Sequence, residues 1–449
     1  MLEVDIIQKN LILALQRPDK MDLLAITDKM NPATLALYIQ NLSVEQQVEI
    51  LETISNAAYV LEFLPLGEQL ALAERMKSTH LIDLISAMHS DERTDLYKAL
   101  PLAKQQQVFA QLNRDKQQQI RSLLNYAEQS AGSIMSSDFV TMSPELTMQQ
   151  AIEQLRRLAP DRETLYLIYI TNAEKKLEGV ISLRQIIQSE PDTTIAEMMS
   201  TDLVVGRVNE DQEDIARVLN HYDFIALPIV DHQDHLLGIV TYDDVMDVLE
   251  EEFTEDFLKG SAVESSPNLS LKSAPIFSLY RQRVFWLVIL VFGSLLSSVG
   301  IAHFEEIIAA NIVLVFFLPL LVGSGGNAGS QSATLMVRAM ATGDVHAKDW
   351  FKLLGRESLV ALCLGATMAF AVSLLGFFRG DEMVALVLAL SMMGIVMMGC
   401  LMGMSLPFIL NKLGLDPASA SAPLVTSICD AMGVIIYLFI ASKLLLNLA

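Results

Sequence analysis

Apolar residues recur along this chain in three successive patterns. Up to about Ala131 the spacing is helical: Leu35, Ile39 and Leu42, then Val48, Leu51 and Ile54. Leu81, Leu84, Ile85 and Met88 follow, and then Leu96, Leu100, Val108 and Leu112. Strand-like alternation is absent. Polar breaks at Asn41-Leu42-Ser43 and His89-Ser90-Asp91 read as N-cap sites, so an array of short helix pairs is expected. The triplets Gln105-Gln106-Gln107 and Gln117-Gln118-Gln119 read as a solvated helix face.

The second pattern is an internal repeat with a period of about 60 residues. One copy opens at Gly132-Ser133-Ile134-Met135-Ser136 and closes at Leu177-Glu178-Gly179-Val180-Ile181-Ser182, running into Leu183 to Ile187. The other opens at Glu197-Met198-Met199-Ser200 and closes at Leu237-Gly238-Ile239-Val240-Thr241, running into Tyr242 to Met246. Each copy predicts a helix, an apolar strand (Leu165 to Ile170; Ala226 to Val230), a turn, and a second strand entering a helix. This pair resembles tandem CBS domains, a regulatory α/β module. The second copy continues into an acidic segment, Asp243 to Leu258, where Val245, Val248, Leu249, Phe253 and Phe257 fall at helical spacing. By itself this segment reads equally as a solvated acidic helix face, but its position, leading through a Ser-rich linker (Gly260 to Ser273) into the membrane, favours a connector helix.

The third pattern is five long apolar segments, at about 284–301, 307–336, 359–378, 383–410 and 424–446, which read as transmembrane helices. Arg281, Arg283, Arg338, Lys348, Lys352 and Arg356 flank the first segment and fill the link after the second. The positive-inside rule places them in the cytoplasm, with the Glu305-Glu306 and Arg379-Gly380-Asp381-Glu382 turns and the C-terminus outside. One carboxylate, Asp430, stands deep within the last segment. Such a group costs about 2.5–3.5 kcal/mol at bilayer depth and normally faces a bundle interior or a watery path. The glycine-rich run from Pro319 to Gln331 lacks the G-K-[ST] of a phosphate loop and suits close helix packing with local unwinding.

Charge sharpens the division. From Pro275 onward there are nine basic and nine acidic residues, so the first part, with 22 basic and 44 acidic residues, carries the whole net charge of −22. Such a body repels nucleic acid and anionic lipid and attracts cations. Cys363, Cys400 and Cys429 all lie in apolar segments, which excludes a soluble disulfide framework. The start, Met1-Leu2-Glu3-Val4-Asp5, has acid where a signal peptide needs base, so the first part is expected to stay cytoplasmic. No H-E-x-x-H occurs, and His303 and His346 are lone, which leaves a membrane metalloprotease without ligands.

Two longer motifs are specific. The run Gly325-Gly326-Asn327-Ala328-Gly329-Ser330-Gln331-Ser332-Ala333-Thr334, with Arg338-Ala339 and Gly343, is similar to the second membrane helix of the MgtE family of magnesium channels. Asp416-Pro417-Ala418, Pro423-Leu424-Val425-Thr426, Asp430, Gly433 and Ile436-Tyr437 resemble that family's last helix. The resemblance covers essentially the whole chain. It implies a multidomain architecture: an all-α superhelical N-domain (1–130), an α/β tandem CBS domain (131–250), an acidic connector helix and linker (243–274), and an α-helical membrane domain of five transmembrane helices (275–449).

It further implies an inner-membrane homodimer, with one pore on the dimer axis lined by the second and fifth membrane helices. Asp430, Thr426, Ala422 and Gly433 would bind the ion or set the width, with Gly325, Gly326, Asn327, Gly329 and Gln331 as the pore-helix motif. The family often carries Asn where Ala422 stands. Position matching puts regulatory Mg2+ ligands at Asp91 and Asp95, at Asp211, Glu213 and Asp223, and at Asp244, Asp247, Glu252, Glu255 and Asp256. A further N-domain acid of the family falls at Tyr59. The resemblance also allows ATP at the CBS pair. Cytosolic Mg2+ is expected to close the channel by offsetting repulsion among acidic domains. The alternative is a CBS-regulated channel for another divalent cation or an anion, though an anion pore would want basic residues where Asp430 stands. An enzyme would want a catalytic cluster, and none is visible in the sequence.

Overall fold

The computed structural model describes residues 2–17, 20–158, 164–264, 275–379 and 382–445. It divides into two compact units, Met1–Glu251 and Glu252–Ala449. The first unit begins with ten helices: α1 (Leu2–Leu15), α2 (Met21–Thr27), α3 (Pro32–Ile39), α4 (Val44–Leu51), α5 (Ala57–Glu62), α6 (Leu66–Arg75), α7 (Ser78–Ala87), α8 (Ser90–Ala99), α9 (Leu102–Gln111) and α10 (Arg114–Leu123). Their apolar stripes meet in one core that runs from Leu11 through Leu35, Ile50, Leu72, Ile85 and Leu96 to Ile120.

The joints between these helices share one device. Gln47, Gln69, Gln105 and Gln117 each donate a side-chain amide hydrogen bond to the carbonyl five residues back: Leu42, Leu64, Leu100 and Leu112, at 2.8–3.0 Å. Each bond satisfies a carbonyl that the end of the preceding helix leaves unpaired. The glutamine triplets are therefore not simply a solvated face. Gln105 and Gln117 staple helix joints, and Gln119 links Arg93 to Asp138.

Arg93 occupies the same position at its own joint, reaching back five residues to the Met88 carbonyl. It is fully buried and also donates to Ile85 O (2.9 Å) and Gln119 Oε1 (2.8 Å). Arg93→Met would leave these buried acceptors unpaired. The expected cost is about 3 kcal/mol, read as lost amide-exchange protection in α7 and α8.

The repeat folds as two matching halves. The first holds α11 (Ala131–Ile134), β1 (Thr141–Met142), α12 (Met148–Leu158), β2 (Leu167–Thr171), β3 (Leu177–Ser182) and α13 (Leu183–Gln188). The second holds α14 (Ile195–Met198), β4 (Gly206–Arg207), α15 (Gln212–His221), β5 (Ala226–Val230), β6 (Leu236–Thr241) and α16 (Tyr242–Gly260). Each half has a three-stranded sheet, with its first pair parallel and its second antiparallel. The halves exchange edges: Ser136 bridges to Ile239 of the second, and Ser200 to Val180 of the first. Gly238 and Gly179 make room for this exchange. A methyl at either would fall 2.6 Å from the sulfur of Met135 or Met199. In α16, Val245 and Val248 are buried in the core of the second half, while Leu249, Phe253 and Phe257 are exposed.

The second unit holds α17 (Ile276–His303), α18 (Glu305–Ala310), α19 (Val313–Ala341), α20 (Trp350–Arg379), α21 (Glu382–Lys412) and α22 (Ala422–Leu445). Among the described residues, five helices are long and apolar enough to cross a membrane. The expected Glu305-Glu306 turn is instead the first turn of α18. Gly380 and Asp381, most of the Ser-rich linker, and Leu446 lie outside the described residues.

The glycine run does not unwind. α19 is continuous from Val313 to Ala341 and contains Pro319. Lipid offers no water to compete for its backbone hydrogen bonds, so glycine weakens a membrane helix less than a soluble one. What the glycines provide is approach: Gly325 and Gly329 of α19 face Gly399 and Gly403 of α21. A methyl on Gly399 would lie 2.4 Å from Gly325 O, and one on Gly403 would lie 2.0 Å from Gly329 O. Gly403→Ala should therefore lower stability by about 3 kcal/mol, seen as a lower melting temperature in detergent. Gly323→Ala, with nothing within 4 Å, serves as the neutral control.

Candidate ion pathway and acidic regulatory sites

α22 starts at Ala422, after a 3-10 turn at Pro417–Ser419 that Asp416 caps through Oδ1 to Ala418 N (2.8 Å). Asp430 sits two turns into α22, and Thr426 one turn before it. Both rest against Gly326 of α19: a methyl there would lie 2.8 Å from Thr426 Cγ2 and 3.3 Å from Asp430 Oδ1. Gly326 is thus the notch that admits the carboxylate. Asp430 Oδ1 is buried and has no hydrogen-bond partner among the described residues. The carboxylate of Glu357, in α20, is answered differently, by a 2.5 Å hydrogen bond from Ser332 Oγ.

The remaining motif residues separate by face. Gly325 and Gly329 are buried against α21, and Gly329 also meets Cys429 of α22. Asn327, Gln331 and Thr334 are exposed, and their i, i+4, i+7 spacing makes them one polar stripe along a membrane-spanning helix. Gly433 is buried at van der Waals distance from Ile395 and Val322, a helix-packing position. Ala422, the first residue of α22, is half-buried. Tyr437 ties α22 to α19 by donating its hydroxyl proton to Leu314 O (3.0 Å).

In the first unit the acidic residues fall into two kinds. Asp211 caps α15 by accepting from Glu213 N (2.8 Å), and Asp244 accepts from the backbone and hydroxyl of Thr241 (2.8 and 2.7 Å). Glu213 pairs with Arg217, and Asp223 takes a left-handed conformation (φ 52°) just after α15. These have local structural roles. Asp95 pairs with Lys98 (3.5 Å), and the charges of Asp91, Asp95 and Asp247 all act on Glu92. Burial first, and then the charges of Asp91, Glu62, Asp95 and Asp247, push the Glu92 carboxyl up to about 8. Asp247 is also raised, by burial and then by Asp243 and Glu250. Tyr59 packs its ring against His89, which pairs with Glu62.

In the second unit Glu255 and Asp256 lie near Asp416, and Glu252 lies near Asp256. Burial and then Asp416 raise the Asp256 carboxyl. Lys259 is the only base in α16, and its Nζ reaches both Glu255 and Asp416. Burial opposes its charge, but hydrogen bonds from its ammonium to Asp416 and Glu255 outweigh that and hold its pKa above the usual range. Glu92 and Lys259 were not singled out in the sequence. The available signals were an acid between two other acids and a lone base in an acidic helix.

Among the described residues no three His, Cys, Asp or Glu side chains form a ready ligand cage. The donor set still fits Mg2+. It is all carboxylate, and Mg2+ keeps its waters and takes only one or two carboxylates from a protein.

The architecture defines a multi-pass membrane protein whose first part is a helical array followed by a CBS-like pair. Family models match along its length: a divalent cation transporter (MgtE) over residues 318–440, the MgtE intracellular N domain over 30–129, and CBS domains over 131–192 and 195–251. The magnesium transporter MgtE of Thermus thermophilus is 42% identical over 320 residues, covering 71% of this chain and 71% of that protein. Those of Enterococcus faecalis and Bacillus subtilis are 35% and 32% identical, covering 71% and 72% of this chain and 69% and 71% of theirs.

Two crystal structures share the fold of the first part. The soluble part of a magnesium transporter is 28% identical with a TM-score of 0.53, covering 56% of this chain and 99% of that one. The cytosolic domain of the Mg2+ channel MgtE in complex with ATP is 32% identical with a TM-score of 0.51, covering 54% and 99%. The chain belongs to the MgtE family.

Proposed function

We propose that this chain is a Mg2+ channel for uptake across the inner membrane. It acts as a homodimer whose pore lies on the two-fold axis, and cytosolic Mg2+ closes it. The observation that carries this is the polar stripe Asn327, Gln331 and Thr334, exposed on a membrane helix beside Asp430. Polar side chains at bilayer depth are costly unless they face water or a partner. A second copy across an axis supplies both, and it brings two Asp430 carboxylates to one site. Paired carboxylates can hold a hydrated Mg2+ without stripping it.

Asp430 provides charge, Thr426 a hydroxyl one turn away, and Gly326 the room for both. Arg281, Arg283, Arg338, Lys348, Lys352 and Arg356 orient the chain with its first part in the cytoplasm and its C-terminus outside. In the cytosolic part, Asp91 and Asp247 beside Glu92 are the residues that would hold Mg2+, and bound Mg2+ would offset their mutual repulsion. Closure then follows linkage: the ion favours the closed state only by its higher affinity for it.

The test is ion uptake into proteoliposomes with competing divalent cations. Mg2+ uptake that saturates and is suppressed by Mg2+ on the cytosolic side is expected. Equal uptake with and without protein would overturn the proposal. The ATP in the related cytosolic domain supports an adenine nucleotide as a second ligand of the CBS pair here, which calorimetric titration checks.

A further inference from the structure

We propose that Lys259 is a tethered cation that docks the connector helix onto the turn in front of the pore helix, so that an ammonium group, not a metal ion, fills the carboxylate site there. Its Nζ lies 2.7 Å from Asp416 Oδ2 and also pairs with Glu255, one helical turn back. The two partners lie on separate elements: Glu255 is on α16, and Asp416 precedes α22 by one short turn.

Asp416 can transmit what it receives. Its other oxygen caps the 3-10 turn, and Ala418 in that turn and Ala420 and Ser421 just after it are 3%, 3% and 1% exposed. The turn is thus fixed to the membrane bundle and leads directly into Ala422. The side chains of Lys259, Glu255 and Asp416 are 32%, 26% and 37% exposed, so water screens the pairs only in part.

An ammonium on a four-carbon stem brings three donors to this site. A divalent ion would have to displace this ammonium to reach the same two carboxylates. The C-terminal end of the connector is therefore held whether or not Mg2+ is present. Glu255 drops out as a Mg2+ switch, and sensing is left to the other acids, Asp91 and Asp247 among them. The gating consequence rests on the function proposed above, whereas the docking itself does not.

The experiment uses the full chain in nanodiscs, cysteine-free, with spin labels at Ser261 and Leu413. A narrow distance distribution without Mg2+ is expected for the wild type and for Lys259→Arg. Lys259→Gln and Asp416→Asn should each broaden it, and the double variant should be no worse than either single one. Asp416→Asn keeps an oxygen for the Ala418 cap. Lys259→Asp, which leaves only carboxylates, should be broad without divalent cation and narrow with millimolar Mg2+. A distribution unchanged by Lys259→Gln, or a wild type that narrows only when Mg2+ is added, overturns the proposal.

In uptake assays, Lys259→Gln should raise the Mg2+ concentration for half-closure roughly two- to fivefold, the range for a partly exposed ion pair. An absence of Mg2+-dependent uptake in the wild type would count against the channel, while the distance measurement would still decide the latch.

Discussion

Asp430→Ala should lower Mg2+ flux about 100-fold while the protein still folds and assembles. A carboxylate costs about 2.5–3.5 kcal/mol at bilayer depth, so a chain that keeps one there gains at least that much in handling its ion. Such a term corresponds to roughly two orders of magnitude in rate. Folding should be spared, because the buried Oδ1 has no hydrogen-bond partner among the described residues, and alanine is smaller than the space Gly326 leaves. Asp430→Asn keeps the shape and removes the charge, and it should be equally inactive. Uptake within threefold of wild type from a correctly assembled Asp430→Asn protein would remove Asp430 from the pathway.

Asp91→Ala combined with Asp247→Ala should leave the channel open at millimolar cytosolic Mg2+. The half-closing concentration should rise tenfold or more, a shift of about 1.4 kcal/mol in the linkage between ion and closed state. Burial, and then a repulsion to which both acids contribute, push Glu92 up to about 8. Without them the cluster has less negative charge for an ion to neutralise. Mg2+-dependent protection of the helical N-domain from protease should disappear together with closure. If wild type and double variant keep the same Mg2+ dependence, these acids are solvated surface.

The large features of the molecule were legible because each depends on local periodicity. Helical spacing marked the N-terminal array, matched offsets marked the CBS pair, and long apolar runs marked five spans. Asp430 was legible for the same reason, being one charge against an apolar background. Features that depend on long-range meeting were not. Lys259 finds Asp416 157 residues further on, and no pattern within α16 points to that partner. Gln105 and Gln117 read as solvent-facing because their role depends on the bend between two helices, which brings a carbonyl five residues back into reach. The glycine run suggested a broken helix by the standards of water, and continues as helix in an environment where the backbone has no other partner.

The glycine contacts between α19 and α21 have a mechanical consequence. Gly325 with Gly399, and Gly329 with Gly403, bring two backbones together with no side chain between them to act as a cushion. Neither helix can roll about its own axis, since any roll would carry a bulkier neighbouring residue into the other's carbonyls. The pair must therefore tilt as a single stiff beam. In the proposed channel, widening would be left to the seam with α22, where Gly326 meets Thr426 and Asp430. The hinge of its gate and the seat of its ion would then be one and the same line of atoms.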